Sequence, residues 1–379
     1  MHIAFNAWFW NQPYSGSGQY LRALVAALRR FHPALRLSLV LPGERSADVP
    51  TEVNTVALKI GRGQLGKVLF EQRAYPAAVR RLRADIAHVP YWGAPLSSPA
   101  RLIVTVHDVI PLSLPVYRGG LSGSFYFSLV RASAKGAGHI LTDSTFSKSE
   151  IMAYIGVPAE QITAIPLAAG EMFHPKLGAE RDEAIRVKYT LPKEGYALYL
   201  GGYDIRKNVR ALIAGYTFVG PSAGDQYPLI LAGSPPTQWG SARFPDLPAE
   251  IAARPGLDQW VRWIGAVAEE DKPAVYRMAR VFVFPSRYEG FGLPPLEAMA
   301  SGTPVVAANA SSIPEVVGES AYLVDPDDAR KMGGAIIAVM IQDDLHASLR
   351  AAGLARATAF SWERTARETV AVYEDVMRR

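Results

Sequence analysis

The sequence predicts an α/β protein made of two doubly wound domains, each a parallel sheet covered by helices. Three observations carry this. A chain of 379 residues is long for one hydrophobic core. Short β-like runs alternate with helical patterns from the first residues to about residue 170. After a stretch with no clear period, AAGEMFHPKLGAERDEA, the same rhythm begins again.

In order, HIAFNAW reads as the first strand, and the text after it places Leu21, Leu24, Val25 and Leu28 on one face of a helix. LRLSLVLP, DIAHVP, LIVTVHD, HILTDS and ITAIPLA supply the further strands of the first domain. YALYLGG, PLILAGS, WVRWIGAV, VFVFPS, PVVAAN and AYLVD supply those of the second. The chain closes on two helical segments, DLHASLRAAGLARATAF and SWERTARETVAVYEDVMRR. Two such domains imply a cleft, a favoured place for a ligand.

Composition narrows the class. Hydrophobic residues at 49% and charged residues at 20% describe a globular protein and exclude a disordered one. Cysteine is absent, which removes disulfides, thiolate metal sites and cysteine nucleophiles, and fits a reducing, cytoplasmic setting. MHIAFNAWFWNQ lacks a basic leader and reads as a strand and not as a signal peptide. The longest strongly apolar run, GGAIIAVMI, falls short of the roughly 20 residues that span a bilayer.

Charge is uneven. Residues 1–175 hold 17 Lys/Arg against 10 Asp/Glu, a balance of +7, and the remainder carries 23 against 25, or −2. Much of the excess lies at Arg62, Lys67, Arg73, Arg80, Arg81 and Arg83. These residues either face an anionic membrane surface or form a solvated helix face.

Three segments carry candidate chemistry. In YSGSGQYLRALVAALRR, Gly16 and Gly18 stand between a strand and an amphipathic helix, where a phosphate would meet free N–H groups and a positive dipole end. A plain strand-to-helix turn fits the same text, and the third glycine of the dinucleotide fingerprint is missing. LYLGGYDIRKNVRALI repeats the arrangement, with Asn208 as N-cap and with Arg206 and Lys207 either holding an anion or lying on the surface. In SRYEGFGLPPLEAMASGTPVV, Glu289 lies on a glycine loop and Glu297 on the first turn of a helix that begins at Pro294 and Pro295 and ends near Gly302. Both acids then sit at the carboxyl end of a buried strand, where open sheets bind ligands. The alternative leaves Glu297 to the helix dipole and Glu289 to solvent. The DPDD text at 325–328 reads as a turn and not as a metal site.

SRYEGFGLPPLEAMASGTPVVAANASSIPEVVGESAYLVDP closely resembles the signature of family-4 retaining glycosyltransferases, with their E-x7-E motif. The Gly16/Gly18 loop, VTVHDVIPL with His107, TDSTFSKSEI with Ser144 and Ser147, RKN, WIGAV and FSWERTARETVAVYEDV resemble the family in the same order, so the likeness covers essentially the whole chain. The resemblance implies a GT-B fold of two Rossmann-like domains: residues 1–172 on the acceptor side with a closing helix 365–379 that crosses back, and 173–364 on the donor side. It implies a nucleotide-sugar donor and a glycan or lipid-linked glycan acceptor, with no nucleic acid, no metal and no other cofactor. Glu297 would bond the ribose, Glu289 and His107 would lie by the transferred sugar, and Lys207 would hold the diphosphate. Backbone N–H groups of Gly290, Phe291, Gly292 and Leu293 would contact sugar and phosphate, and Val267 would lie by the base.

One departure stands out: the GR pair common in the family reads Gly201-Gly202 here. Either Arg206 takes over that diphosphate contact or Lys207 works with the helix dipoles alone. The wording SSIPEVVG with RKN is similar to mannosyltransferases of bacterial polysaccharide assembly, which implies GDP-mannose and a front-face reaction. The competing expectations are a UDP- or dTDP-sugar transferase, an epimerase or a phosphorylase of the same architecture, and a binding-only partner subunit. A binding-only chain would be expected to lose an acid or the lysine, and this one keeps Glu289, Glu297, Lys207 and His107.

Overall fold

Short runs of Val, Ile, Leu and Ala make strands that are buried along most of their length, the pattern expected when helices cover both faces of a parallel sheet. The computed structural model describes residues 1–61, 63–117, 120–176 and 178–379; Arg62, one of the basic candidates, lies outside them. The chain divides into two compact units, Met1–Leu167 with Ser361–Arg379, and Ala168–Phe360. These junctions fall a few residues before the expected 172/173 and 364/365.

In the first unit β1 (His2–Asn6), β2 (Arg36–Pro42), β3 (Asn54–Leu58), β4 (Ile86–Val89), β5 (Arg101–Thr105), β6 (His139–Thr142) and β7 (Ile162–Ala164) form a seven-stranded sheet in the order β3-β2-β1-β4-β5-β6-β7. Every pairing is parallel. The edge strand β3 was not expected from the sequence. Among its five residues Val56 alone is buried, so neither an apolar run nor a clean alternation marks it.

In the second unit β8 (Ala197–Leu200), β9 (Leu229–Ala232), β10 (Val261–Gly265), β11 (Val281–Phe284), β12 (Val305–Ala308) and β13 (Tyr322–Val324) form a six-stranded parallel sheet in the order β10-β9-β8-β11-β12-β13. The DPDD text follows β13 as a turn, and Asp328 then caps the next helix by accepting from the Lys331 N–H at 2.9 Å.

The closing helix Trp362–Arg378 belongs to the first unit. Ser361 caps it, Thr365 donates to the Pro166 carbonyl at 2.8 Å, and the Tyr373 hydroxyl meets His88 Nδ1 at 2.6 Å inside the core. Among the described residues no helix is long and apolar enough to cross a membrane.

Candidate active site

In the second sheet the strand order reverses between β8 and β11, which opens a crevice at their carboxyl ends. The chain leaves β8 through Gly201-Gly202-Tyr203-Asp204 into a 3₁₀ turn, Ile205–Lys207, and leaves β11 into the loop that carries Glu289. These two loops meet. Lys207 Nζ donates to Glu289 Oε1 at 2.6 Å, and Arg206 Nη1 donates to Glu289 Oε2 at 2.8 Å and to the Tyr288 carbonyl at 3.1 Å. Arg206 Nε also lies 3.2 Å from Asp204 Oδ1. The alternative of an exposed Glu289 with surface cations therefore fails: the side chains of Lys207 and Glu289 are 11% and 12% exposed.

Electrostatics follows from that geometry. Burial works to raise the Glu289 carboxyl, but Lys207 and then Arg206 outweigh it and hold it down at about 2. Burial lowers the Lys207 ammonium, with Glu289 opposing. The site is thus a charged trio whose carboxylate fixes two cations in place.

Asn208 begins the following helix as expected, but its side chain does not cap it. The residue takes a left-handed conformation, φ 54°, and its Nδ2 donates to the carbonyls of Pro285 at 3.2 Å and Pro326 at 2.7 Å. It ties the β8, β11 and β13 loops together. Ser311 and Ser312 do similar work: Ser311 Oγ accepts from the Glu289 N–H at 3.0 Å, and Ser312 Oγ donates to the carbonyls of Glu289 at 2.9 Å and Phe291 at 2.6 Å. Gly292 stands at φ +119°, a conformation open to glycine, and leads into the helix Leu293–Ala300, whose N-terminus has no side-chain cap. Gly290, Phe291, Gly292 and Leu293 thus line the turn between Glu289 and that uncapped end.

Glu297 is the fifth residue of this helix, just past the first turn on which it was expected, and so does not complement the dipole there. It is 6% exposed and accepts from the Tyr276 hydroxyl at 3.0 Å. Burial pushes its carboxyl up to about 7, against the pull of Lys272 and Tyr276. Val267 follows β10 by two residues, at the same carboxyl edge of the sheet.

The first unit holds the remaining candidates. Gly16 is exposed at the start of the helix Gly16–Phe31, whereas Gly18 is buried and its N–H donates to Ser15 Oγ at 3.1 Å. A Cβ at Gly18 would stand 2.2 Å from the Gln12 carbonyl oxygen, so close packing alone accounts for that glycine. His107 follows β5 and pairs through Nδ1 with Asp143 Oδ2, which follows β6, at 2.7 Å. Burial lowers the imidazole, yet Asp143 outweighs it and the net shift is upward. Its Nε2 has no hydrogen-bond partner among the described residues. Ser147 Oγ donates to the His107 carbonyl at 3.0 Å, while Ser144 caps the helix Thr145–Ile155. Sequence reasoning did not single out Asp143 or Tyr276, which meet His107 and Glu297 only through the fold, nor Asp204, whose partner Arg206 stands two residues on.

Residues 181–356 match the family model "Glycosyl transferases group 1", and residues 15–168 match "Glycosyl transferase 4-like domain". The chain is 33% identical over 375 residues to the O-antigen chain mannosyltransferase B of Escherichia coli, covering 96% of both proteins. It is 29% identical over 357 residues to the MMP alpha-(1->4)-mannosyltransferase of Mycolicibacterium hassiacum, covering 91% of this chain and 75% of that one. Among solved structures, sucrose-phosphate synthase from Thermosynechococcus elongatus superposes with TM-score 0.79 at 23% identity, covering 100% of this chain and 99% of that one. Anabaena HepE, solved in complex with UDP and glucose, superposes with TM-score 0.76 at 18% identity, covering 99% and 100%. Both likenesses show the GT-B fold. With two parallel-sheet Rossmann-like units and a relative this similar over nearly its whole length, the chain belongs to the family-4 glycosyltransferases and is a hexosyltransferase.

Proposed function

We propose that this enzyme is a retaining mannosyltransferase of polysaccharide assembly that moves mannose from GDP-mannose to a hydroxyl of a glycan or lipid-linked glycan. The observation that carries the reading is the largely buried cluster of Arg206, Lys207 and Glu289 at the carboxyl ends of β8 and β11, two cations held in place by Glu289, with Asp204 also against Arg206. Mannose is favoured by the relatives named as mannosyltransferases.

In the front-face step, the bond from the anomeric carbon to the diphosphate oxygen breaks and the acceptor oxygen bonds on the same face. The acceptor's proton passes to the leaving diphosphate oxygen. Lys207 and Arg206 stabilise the charge that grows on that diphosphate, which takes over from Glu289 as their counter-ion. Glu289 and His107 are assigned to the transferred sugar, with Asp143 fixing the His107 ring. Glu297 takes the ribose hydroxyls, the N–H groups of Gly290, Phe291, Gly292 and Leu293 take sugar and phosphate, and Val267 lies by the base. Gly16 completes the phosphate contacts. The cations fill the electrostatic role of a metal, so none is required. Arg73, Arg80, Arg81 and Arg83 are exposed, form no ion pair among the described residues, and are assigned to peripheral contact with the cytoplasmic face of an anionic membrane.

A screen of GDP, UDP, ADP and dTDP sugars for hydrolysis and transfer, with and without EDTA, tests the reading. GDP-mannose should be consumed, the product should keep the anomeric configuration, and EDTA should leave the rate unchanged. Preference for another sugar nucleotide, inversion, or strict dependence on a divalent ion each removes the corresponding part.

A further inference from the structure

At the edge where the strands of the second sheet begin, opposite the edge that carries Lys207 and Glu289, the second unit holds a cavity of about 240 Å³. Gly195, Arg280 and Gly302 line it, and they stand just before β8, β11 and β12. Its wall also carries Arg186, Lys193, Arg277 and Arg350, so five cations meet there, with His346 beside them. Glu194 is the one carboxylate among the described lining residues, and it is exposed.

Three of the cations already have partners. Arg277 Nε donates to Asp182 Oδ2 at 3.0 Å, Arg186 Nε to Glu183 Oε2 at 2.7 Å, and Arg280 Nε to the Met340 carbonyl at 3.0 Å. Arg280 Nη2 also donates to Asp343 Oδ1 at 2.5 Å. Such contacts satisfy carboxylates and helix ends and need no ligand. Lys193 and Arg350 differ. Neither side chain has a hydrogen bond or an ion pair among the described residues, and Lys193 feels Glu183 only at longer range. The Arg350 guanidinium lies over Gly302, where a Cβ would stand 3.3 Å from its Cζ, so the missing side chain leaves it room against the cavity wall. Burial lowers the His346 imidazole, and Arg280 and Arg350 lower it further, against the Arg280 carbonyl and Asp343. The ring therefore stands in a positive field set by two guanidinium groups.

A lysine and an arginine on a convex surface would be solvated singly and call for no partner. In a concave wall of low dielectric their potentials add and raise the local concentration of anions. Volume limits the guest: at ~30 Å³ per water the cavity equals about eight waters, room for a phosphate with a small substituent and too little for a nucleotide sugar. Charge limits it further. A phosphate monoester carries about −1.5 to −2 near pH 7, which suits two free cations and an imidazole that can take up a proton. The Arg350 fork can meet two of its oxygens at once. A phosphodiester, as in a lipid headgroup or a nucleic acid, brings only one charge and fits this wall less well.

We propose that the cavity at the amino ends of β8, β11 and β12 binds inorganic phosphate or a small phosphate monoester, held by Arg350 and Lys193 with His346 as a further donor. This site is separate from the Lys207–Glu289 cluster, and its test needs no transfer reaction. Isothermal titration calorimetry on the full-length protein, in a phosphate-free buffer at pH 7 and constant ionic strength, uses inorganic phosphate, glucose 1-phosphate and dimethyl phosphate as probes. The first two should bind, and dimethyl phosphate should bind more weakly. Arg350→Gln and Lys193→Gln, both at exposed positions that the fold tolerates, should each raise the Kd about 10- to 100-fold, the loss expected for a hydrogen bond between charged groups. Glu194→Gln should tighten binding, because it removes the carboxylate from the wall. Lys207→Ala should leave the Kd as in wild type. Absence of binding to the wild type, or binding that neither Arg350→Gln nor Lys193→Gln weakens, overturns the proposal. Binding lost in Lys207→Ala and kept in Arg350→Gln places the anion in the crevice between β8 and β11 and overturns it as well. Dimethyl phosphate binding as tightly as glucose 1-phosphate overturns the choice of a monoester.

Discussion

Lys207 and Glu289 hold one another at 2.6 Å, so each sets what the other can do. If Lys207 stabilises the leaving diphosphate more in the transition state than in the bound donor, its loss should fall on turnover. Lys207→Ala is expected to lower kcat about 10²- to 10³-fold, as removal of one oxyanion donor does, and Lys207→Arg should recover only part. Kinetics with donor in excess decide: a near wild-type kcat with a raised KM would mean uniform binding. Glu297 makes the opposite trade. Its carboxyl, raised by burial from 4.5 to about 7, favours the folded state in its protonated form. That stability is fully present below pH 4.5 and is lost as pH rises through 7. Glu289, held at about 2, contributes the other way, and its part is lost only as pH falls toward that value. Glu297→Gln should therefore gain in melting temperature relative to wild type between pH 5 and pH 8, while Glu297→Ala weakens nucleotide binding by about 1.5–3 kcal/mol. Constant melting differences across that range, or unchanged affinity by calorimetry, would leave Glu297 a structural residue.

At the scale of elements, the central strands of the second sheet were legible because they are bounded apolar runs such as VFVF or LILA. Glu289, Glu297 and Lys207 stood out in glycine- and proline-bearing text next to those strands, but that text left a surface or dipole reading open for each, and their roles came only from the resemblance to the family. Contacts made over long separations were not: Asn208 reaches Pro326, 118 residues on, and His107 meets Asp143 across 36. No local period records such a pairing. The basic segment shows both outcomes in one stretch. Lys67, read as a surface cation, is turned inward onto three aromatic rings and Glu71, whereas Arg73, Arg80, Arg81 and Arg83 stay exposed on and beside the helix Tyr75–Leu82. Co-sedimentation with anionic vesicles should then weaken when these four arginines are replaced by glutamine, fall with rising salt, and be indifferent to Lys67→Gln. Binding that ignores ionic strength would leave them a solvated face.

At the scale of the whole molecule, the chain's last helix completes a unit that its first residues begin. Trp362–Arg378 buries Ala366, Val370, Tyr373 and Val376 in the first unit, and its Tyr373 hydroxyl is the partner of His88 Nδ1 in the middle of β4. Burial holds His88 neutral, pushing it down to about 3, so the ring depends on its hydrogen bonds to Tyr373 and Thr105 and not on charge. Tyr373→Phe should cost about 1–3 kcal/mol by leaving a buried ring nitrogen unpaired, and Tyr373→Ala about 3–5 kcal/mol through the cavity it creates. Removal of 361–379 should go further and expose the β1–β7 sheet, while β8–β13 keep a core built from residues 168–360. Hydrogen exchange distinguishes these cases element by element. Protection should collapse across β1, β4 and β5 in the truncated protein and persist in β8, β9 and β11. Equal loss in both sheets would mean that the two units fold as one cooperative body. Unchanged protection in the first would mean that the closing helix contributes nothing to the unit on which it packs.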